Sequence, residues 1–275
     1  MQRRLPRQRS WSRHAVKSGL MRLGIEIRRA RPPDEPALTP VQLVLAGALA
    51  VKGSLHIVQV GANDGRIGDP IYDFVMTNRA TTRIVLVEPQ VELHEQLRAN
   101  YEGHPAAYLS SAAVSTRPGE RVLYRVRPSA WAEMRATYYG SAPSYRAPSG
   151  VTSADRSHVL RFVQRFGADP ENPDQYIESV TVPSVTLRQL LDEAQLFSSV
   201  DVLQIDAEGF DDDVIYASID RQIAPNIIHF EHKHLEASAK SLLVAFLTRN
   251  RYGIVRLPGN NWIALQGPIE LPGKG

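Results

Sequence analysis

Residues 55–65 read Leu55-His56-Ile57-Val58-Gln59-Val60-Gly61-Ala62-Asn63-Asp64-Gly65. An apolar run that stops at a glycine turn is typical of a buried parallel strand that passes into a loop at its carboxyl end. Asp69 and Pro70 follow as the N-cap and first residue of a helix predicted over 71–79. A strand, a glycine loop and a helix in this order predict the ligand-binding edge of an open α/β sheet.

The glycine loop departs from the pattern that binds a dinucleotide phosphate. That pattern is G-x-G-x-x-G, whereas Asn63 stands here at the central glycine and Asp64 adds a carboxylate. A negative charge disfavours a pyrophosphate and favours a cationic ligand with an amino group. The next apolar run, 83–87, ends in Glu88, which is placed to accept both hydroxyls of a ribose. An adenosine without phosphates that carries an amino acid and a positive charge is S-adenosylmethionine, which is the predicted cofactor.

Composition narrows the classes of protein that fit. The chain has 275 residues and a hydrophobic content of 43%, enough for a large core, and no stretch approaches a membrane span. It has no cysteine, which excludes disulfides, thiolate metal sites and a thiol nucleophile, and argues against methylation of cytosine C5. Without an apolar signal-peptide core, the expected compartment is the cytoplasm.

The positive charge is concentrated at the amino end. Ten of the 32 basic residues but one of the 29 acidic residues lie in residues 1–31, so the rest of the chain is net acidic and a nucleic-acid partner is not expected. Residues 1–37 are predicted to be a basic arm and linker, with a rough amphipathic helix over 11–30. This helix either contacts the inner face of an anionic membrane or packs on its own domain or a dimer partner. Formation of a homo-oligomer is therefore one of the alternatives.

Residues 38–275 are predicted to form one α/β domain, Rossmann-like in organisation. Strand patterns near 107–109, 200–205 and 226–232 and a hairpin turn at 258–261 complete a mostly parallel, seven-stranded sheet with an antiparallel C-terminal strand and helices on both faces. Residues 128–182 fit no regular pattern except a helix at 155–166, and they carry clustered Tyr and Trp. We interpret them as an inserted lid or acceptor pocket suited to sugar faces; an ordinary surface excursion is the alternative.

Polar residues at successive strand ends mark the predicted site, because ligands of such sheets bind beyond the carboxyl ends of the strands. The predicted cofactor contacts are Gly61, Ala62, Asn63, Asp64, Gly65, Glu88, Ser111, Ala112, Asp206 and Glu208. Asp206 is expected where methyl donor and acceptor meet, with His229 or His232 as general base unless both are structural. A less favoured alternative places Mg²⁺ on Asp206 and Glu208 with Glu231 or His232, to lower the pKa of the acceptor.

Several blocks together resemble the FkbM-type S-adenosylmethionine-dependent methyltransferases. The blocks are Ile57–Gly65, Ile84–Pro89, Ala112–Ser115, Thr186-Leu187, Val200–Asp211 and Phe230-Glu231. The resemblance implies a class I methyltransferase fold, cofactor contacts at Gly61, Asn63, Gly65 and Glu88, and Asp206 and Glu208 at the methionine end. One departure is Gln204, where the family commonly has a lysine. Residues 23–29 also resemble the leader of members from cell-surface glycan pathways.

The leading hypothesis is O-methylation of a hydroxyl on a saccharide, glycolipid or glycosylated natural product. The alternatives are N-methylation of an amino sugar, an NAD-dependent oxidoreductase, and a membrane-associated binding module without catalysis.

Overall fold

The computed structural model describes residues 38–219, 223–257 and 259–267. The predicted basic arm and its amphipathic segment lie outside these residues. The helices are α1 (Pro40–Lys52), α2 (Tyr72–Thr77), α3 (His94–Asn100), α4 (Arg146–Ser149), α5 (Arg156–Phe166), α6 (Leu187–Ala194), α7 (Asp211–Ser218) and α8 (Ala237–Arg249). The strands are β1 (Leu55–Val60), β2 (Thr82–Val87), β3 (Ala107–Ser110), β4 (Ala113–Val114), β5 (Gly119–Val126), β6 (Ile177–Val185), β7 (Val202–Ile205), β8 (Ile227–Glu231), β9 (Tyr252–Arg256) and β10 (Asn261–Gln266).

Seven strands form the main sheet in the order β3-β2-β1-β7-β8-β10-β9. Strands β3, β2, β1, β7 and β8 are parallel to one another, and β10 runs antiparallel to both β8 and β9. The predicted Rossmann-like architecture, mostly parallel with an antiparallel C-terminal strand, is confirmed. Among the described residues, no helix is both long and apolar enough to cross a bilayer.

The central strands are buried on both faces, as expected of parallel strands covered by helices. Because strand side chains alternate, Leu55 and Ile57 of β1 pack with α1, α2 and α3, whereas Val58 and Val60 pack with α6, α7 and α8. The capping box of Thr39 and Gln42 starts α1, and that of Thr186 and Gln189 starts α6.

The order of the strands reverses between β1 and β7. The chain passes from β1 outward through β2 and β3 and then returns to the other side of β1 as β7. The crevice beyond the carboxyl ends of two such strands is where open α/β sheets bind ligands. This topology therefore brings Gly61 and Asp206 together at the edge of one crevice.

The segment between β3 and β7 is more ordered than its sequence suggests. Strands β4, β6 and β5 form a small separate sheet, and residues 128–176 pack a hydrophobic core of their own around Val159, Phe162 and Tyr176. The predicted helix is present as α5, capped by Asp155. Strand β6 was not predicted, because Pro183 interrupts its strand pattern and its partner β5 is distant in sequence.

Candidate functional site

The glycines of the loop after β1 serve its close packing. Gly61 has φ +77°, and a Cβ there would lie 1.9 Å from the carbonyl oxygen of Asp206. Gly65 has φ +71°, and a Cβ there would lie 2.4 Å from Leu97 Cδ1 of α3. Both positions thus require glycine for its backbone conformation and for its missing side chain. Of these two predicted cofactor contacts, Gly61 lines the cavity described below, whereas Gly65 is covered by Leu97 of α3.

Glu88, at the end of β2, is the anchor of the loop. Its Oε2 accepts a hydrogen bond from the backbone N–H of Asn63 at 2.7 Å, and its Oε1 accepts one from the N–H of Gln90 at 2.9 Å. Burial raises the pKa of this carboxyl, and the two backbone donors act against that shift. Oε1 also accepts the side-chain amide of Gln90 at 3.3 Å, whereas Oε2 keeps a lone pair for a further donor, so Glu88 can still bind a hydroxyl.

A cavity, called here the first cavity, opens at the reversal point of the sheet. Its floor is the loop after β1 and the end of β2, its apolar side comes from the small sheet and α7, and its acidic side follows β7. The residues that line it include Gly61, Asn63, Glu88, Gln90, Ala113, Val114, Leu123, Arg146, Ser149, Asp206, Glu208, Phe210 and Val214. Of the ten predicted cofactor contacts, it brings together Gly61, Asn63, Glu88, Asp206 and Glu208.

The other predicted contacts lie away from this lining. Asp64 is buried, and its Oδ1 accepts the N–H groups of Arg66 and Ile67 while its Oδ2 accepts the hydroxyl of Tyr145. The Asp64 carboxylate therefore stabilises its own turn by hydrogen bonds and does not face a cationic ligand. Ala62 is likewise buried in the core of the sheet.

Ser111 and Ala112, also predicted as cofactor contacts, do not line the first cavity. Ala113 and Val114, which form β4, line the first cavity in their place. The chain turns from the main sheet into the small sheet at this point, and Ser110 Oγ accepts the N–H of Ala112 in that turn.

Neither histidine predicted as a general base faces the first cavity. His229 is buried, its Nδ1 lies 2.5 Å from Oε1 of Gln204, and burial lowers its pKa to about 4. His232 packs against Trp262 with ring centroids 4.3 Å apart. The Gln204–His229 pair is a buried hydrogen bond between β7 and β8.

A second cavity adjoins the first through Gly150, Asp206 and Glu208, which line both. Residues of the segment 128–182 form most of its wall, and residues at and after the ends of β7 and β8 form the rest. Tyr138 is 56% exposed, and its ring lies 4.9 Å from that of Tyr139 and 5.8 Å from that of Phe166. Arg161, Arg165 and Lys233 supply positive charges to the lining.

Four side chains at the second cavity form a histidine–carboxylate cluster: His158, Glu208, Glu231 and His234. The two glutamates were predicted as site residues from the sequence, but the two histidines were not. His158 Nε2 lies 3.1 Å from Glu208 Oε2, and His234 Nε2 lies 3.6 Å from the same oxygen and 3.4 Å from Glu231 Oε2. Burial lowers the pKa of both histidines, that of His234 to about 4, so they are neutral near pH 7. A histidine three residues after Glu231 was visible in the sequence, but His158 comes from the inserted segment.

The backbone at Glu208 is strained. Its φ is +47°, in the left-handed region that a residue other than glycine rarely adopts. Such strain costs on the order of 1–3 kcal/mol and clusters at functional sites. Burial, together with the charges of Asp206 and Glu231, raises the pKa of Glu208 well above its usual range. Ionisation of these neighbouring carboxyl groups is therefore mutually unfavourable, and a bound cation would offset that repulsion.

The inserted segment is fastened to the glycine loop by α4. Ser149 Oγ lies 3.0 Å from Asn63 Nδ2, and the Ser149 carbonyl accepts the side-chain amide of Gln90 at 2.9 Å. Arg146, buried and at the edge of the first cavity, donates from Nε to the carbonyl of Ile67. No local sequence pattern predicted Arg146 or Ser149 as residues of the site, because their hydrogen-bond partners lie some eighty residues earlier in the chain.

Comparison with known proteins gives one family match. The model described as the methyltransferase FkbM domain matches residues 59–253, which include the glycine loop, Glu88, Asp206 and Glu208. A search of curated proteins finds no match.

Three solved structures show the range of resemblance in fold. Precorrin-6y C5,15-methyltransferase from Geobacter metallireducens is 13% identical over 86% of this chain and 94% of its own, with a TM-score of 0.40. A putative O-methyltransferase from Klebsiella pneumoniae is 11% identical over 92% and 96%, with a TM-score of 0.40. The fibrillarin pre-rRNA processing protein of Methanococcus jannaschii is 9% identical over 87% and 86%, also with a TM-score of 0.40. At these identities and scores, the three structures say nothing about a substrate.

Proposed function

This chain belongs to the FkbM methyltransferase family, and from that premise we propose that it transfers the methyl group of S-adenosylmethionine to a hydroxyl of a saccharide, a glycolipid or a glycosylated natural product. The observation that carries the proposal is the first cavity, where the buried carboxylate of Glu88 and the acidic end of β7 face one crevice. Family membership as a methyltransferase leaves the oxidoreductase and non-catalytic alternatives without support.

The first cavity fits the parts of S-adenosylmethionine. Glu88 Oε2 has acceptor capacity left for a ribose hydroxyl, and Val114, Leu123 and Val214 offer an apolar site for the adenine. Asp206 lies at the side of the cavity that continues into the second cavity, where its carboxylate favours the positive end of the ligand. When bound there, the cofactor supplies an electrophilic methyl group on a sulfonium.

The second cavity is the proposed acceptor site. Its aromatic wall of Tyr138, Tyr139 and Phe166 presents flat apolar faces with hydroxyls at the edge, a combination that suits the CH faces and hydroxyl rims of sugars. Because Gly150, Asp206 and Glu208 line both cavities, an acceptor here has direct access to the first cavity. The inserted segment thus gives the site its specificity.

The reaction sets two requirements for the residues where the two cavities meet. Methyl transfer is an in-line displacement, so the acceptor oxygen must be held about 3 Å from the methyl carbon with its lone pair aligned. An alcohol must also lose its proton. The histidine–carboxylate cluster lines the second cavity and reaches the first through Glu208. Activation of the hydroxyl therefore belongs to His158, Glu208 and His234 rather than to His229 and His232.

Two measurements test the proposal. Calorimetric titration with S-adenosylhomocysteine should show one site, and no binding at hundreds of micromolar would contradict the cofactor assignment. Mass spectrometry of glycans and glycolipids from a strain that lacks the protein should then show a species lighter by one CH₂ for each methyl lost from oxygen. A methyl lost from an amino-sugar nitrogen, or no change in any saccharide, would contradict the proposed acceptor.

A further inference from the structure

A group of three potential metal ligands lies where the two cavities meet. One atom each from His158, Glu208 and His234 lies within 4.8 Å of the others. They come from three distant parts of the chain: the first turn of α5, the loop after β7 and the loop after β8. Three separate elements thus place two imidazoles and one carboxylate at a single point.

The spacing of these atoms matches a shared ion. Two atoms that each lie about 2.1 Å from one ion at a tetrahedral angle are about 3.4 Å apart. The distances from Glu208 Oε2 are 3.1 Å to His158 Nε2 and 3.6 Å to His234 Nε2. Glu231 Oε2, 3.4 Å from His234 Nε2, adds a further negative charge.

The hydrogen bonding of the cluster leaves a ligand atom unused. His158 Nε2 is buried but has no hydrogen-bond partner among the residues that the structure describes, although Glu208 Oε2 is close to it. A buried polar atom of this kind calls for an explanation, and a bound ion is one. The strained φ of +47° at Glu208, which turns this side chain toward the histidines, is a second independent sign of function.

We propose that His158, Glu208 and His234 bind a divalent transition-metal ion, with Zn²⁺ as the best match. Imidazole nitrogen favours this class over Mg²⁺, which prefers oxygen ligands. Three protein ligands leave a fourth position open, as in catalytic rather than structural zinc sites. The proposal replaces the ligand set expected from the sequence, because His232 packs on Trp262 instead.

The role of the ion rests on the proposed function, whereas the site itself rests on the geometry above. All three side chains line the second cavity, so an ion bound to them would be accessible to the acceptor hydroxyl. Binding to the ion lowers the pKa of that hydroxyl, and its proton passes to water. The oxygen then forms the bond to the methyl carbon as the carbon–sulfur bond breaks, and the electron pair of that bond stays on sulfur. The products are a methyl ether and a neutral thioether, and the ion is unchanged.

The test is direct binding of zinc to untagged, EDTA-treated full-length protein by calorimetry, since a histidine tag would bind zinc itself. The wild type should bind one equivalent of Zn²⁺ with a Kd in the micromolar range or below. His158→Ala and His234→Ala should each raise that Kd at least about tenfold, because even the loss of an outer-shell partner costs that much. His232→Ala is the matched control and should leave the Kd unchanged.

Two outcomes would overturn the inference. One is a wild type that does not bind Zn²⁺ at a hundred micromolar; the other is a His232→Ala effect equal to that of the two ligand variants. Circular dichroism melting of each variant excludes a loss of fold as the cause. Titration of the same EDTA-treated protein with S-adenosylhomocysteine separates the proposals: cofactor binding without zinc binding refutes the metal site alone, and zinc binding without cofactor binding refutes the proposed function alone.

Discussion

Replacement of Glu88 by glutamine tests the centre of the proposed cofactor site with the smallest change of shape. Oε2 of Glu88 accepts the Asn63 N–H at 2.7 Å and Oε1 accepts the Gln90 N–H at 2.9 Å. In Glu88→Gln, an NH₂ group must replace one of these oxygens. It then faces a backbone donor instead of accepting from it, and it can no longer accept a ribose hydroxyl.

The structure sets the size of the effect on affinity. A hydrogen bond to a charged group contributes about 1.5–3 kcal/mol, so the loss of one to a ribose hydroxyl should raise the Kd of S-adenosylhomocysteine about 10- to 150-fold. The effect on stability should be much smaller, because burial raises the pKa of Glu88 and its charge is therefore a cost to the fold that glutamine removes. The relief of that cost opposes the loss of the backbone hydrogen bond.

The assay is calorimetry with S-adenosylhomocysteine on wild type, Glu88→Gln and Glu95→Gln, each with a melting curve. Glu95 is exposed on α3 and away from the first cavity, so its variant makes the same chemical change without the predicted effect. An unchanged Kd for Glu88→Gln would refute the ribose assignment. A loss of affinity accompanied by a large fall in melting temperature would refute the expectation that this substitution affects cofactor binding much more than stability.

Two further predictions concern the loop itself. Gly61→Ala should lower the free energy of unfolding in urea much more than Gly53→Ala does. Both glycines have φ +77°, but only at Gly61 would a Cβ meet another atom, the Asp206 carbonyl oxygen at 1.9 Å. Equal decreases in the free energy of unfolding would contradict this close approach. Burial raises the pKa of Asp69 to about 6 from 3.8, so the folded state holds its proton more tightly than the unfolded state. Wild type should therefore lose stability relative to Asp69→Asn as the pH rises from 4 to 7, by roughly 2 kcal/mol. Asp73→Asn, at an exposed position, is the control. A wild type whose stability rises relative to that of Asp69→Asn between pH 4 and 7 would contradict the raised pKa of Asp69.

The inserted segment shows why the acceptor side of the site was harder to predict than the sheet. Tyr138 and Tyr139 were recognised as part of a lid by their residue type, but His158, Arg146 and Ser149 were not. Their partners are Glu208, Ile67 and Asn63, all remote in sequence. Strand β6 was hidden for the same reason, since its pairing with β5 spans more than fifty residues.

The main sheet, the loop after β1 and the placement of Glu88 and Asp206 at polar strand ends could be predicted from the amino-acid sequence. These features depend on local periodicity and on the rule that parallel strands end at one edge. The directions of individual side chains depend instead on the packing of the folded chain. It turned Asp64 onto its own loop and His229 onto Gln204, and it brought His158 from the insertion to Glu208. Those choices depend on contacts between distant segments, which no local pattern records.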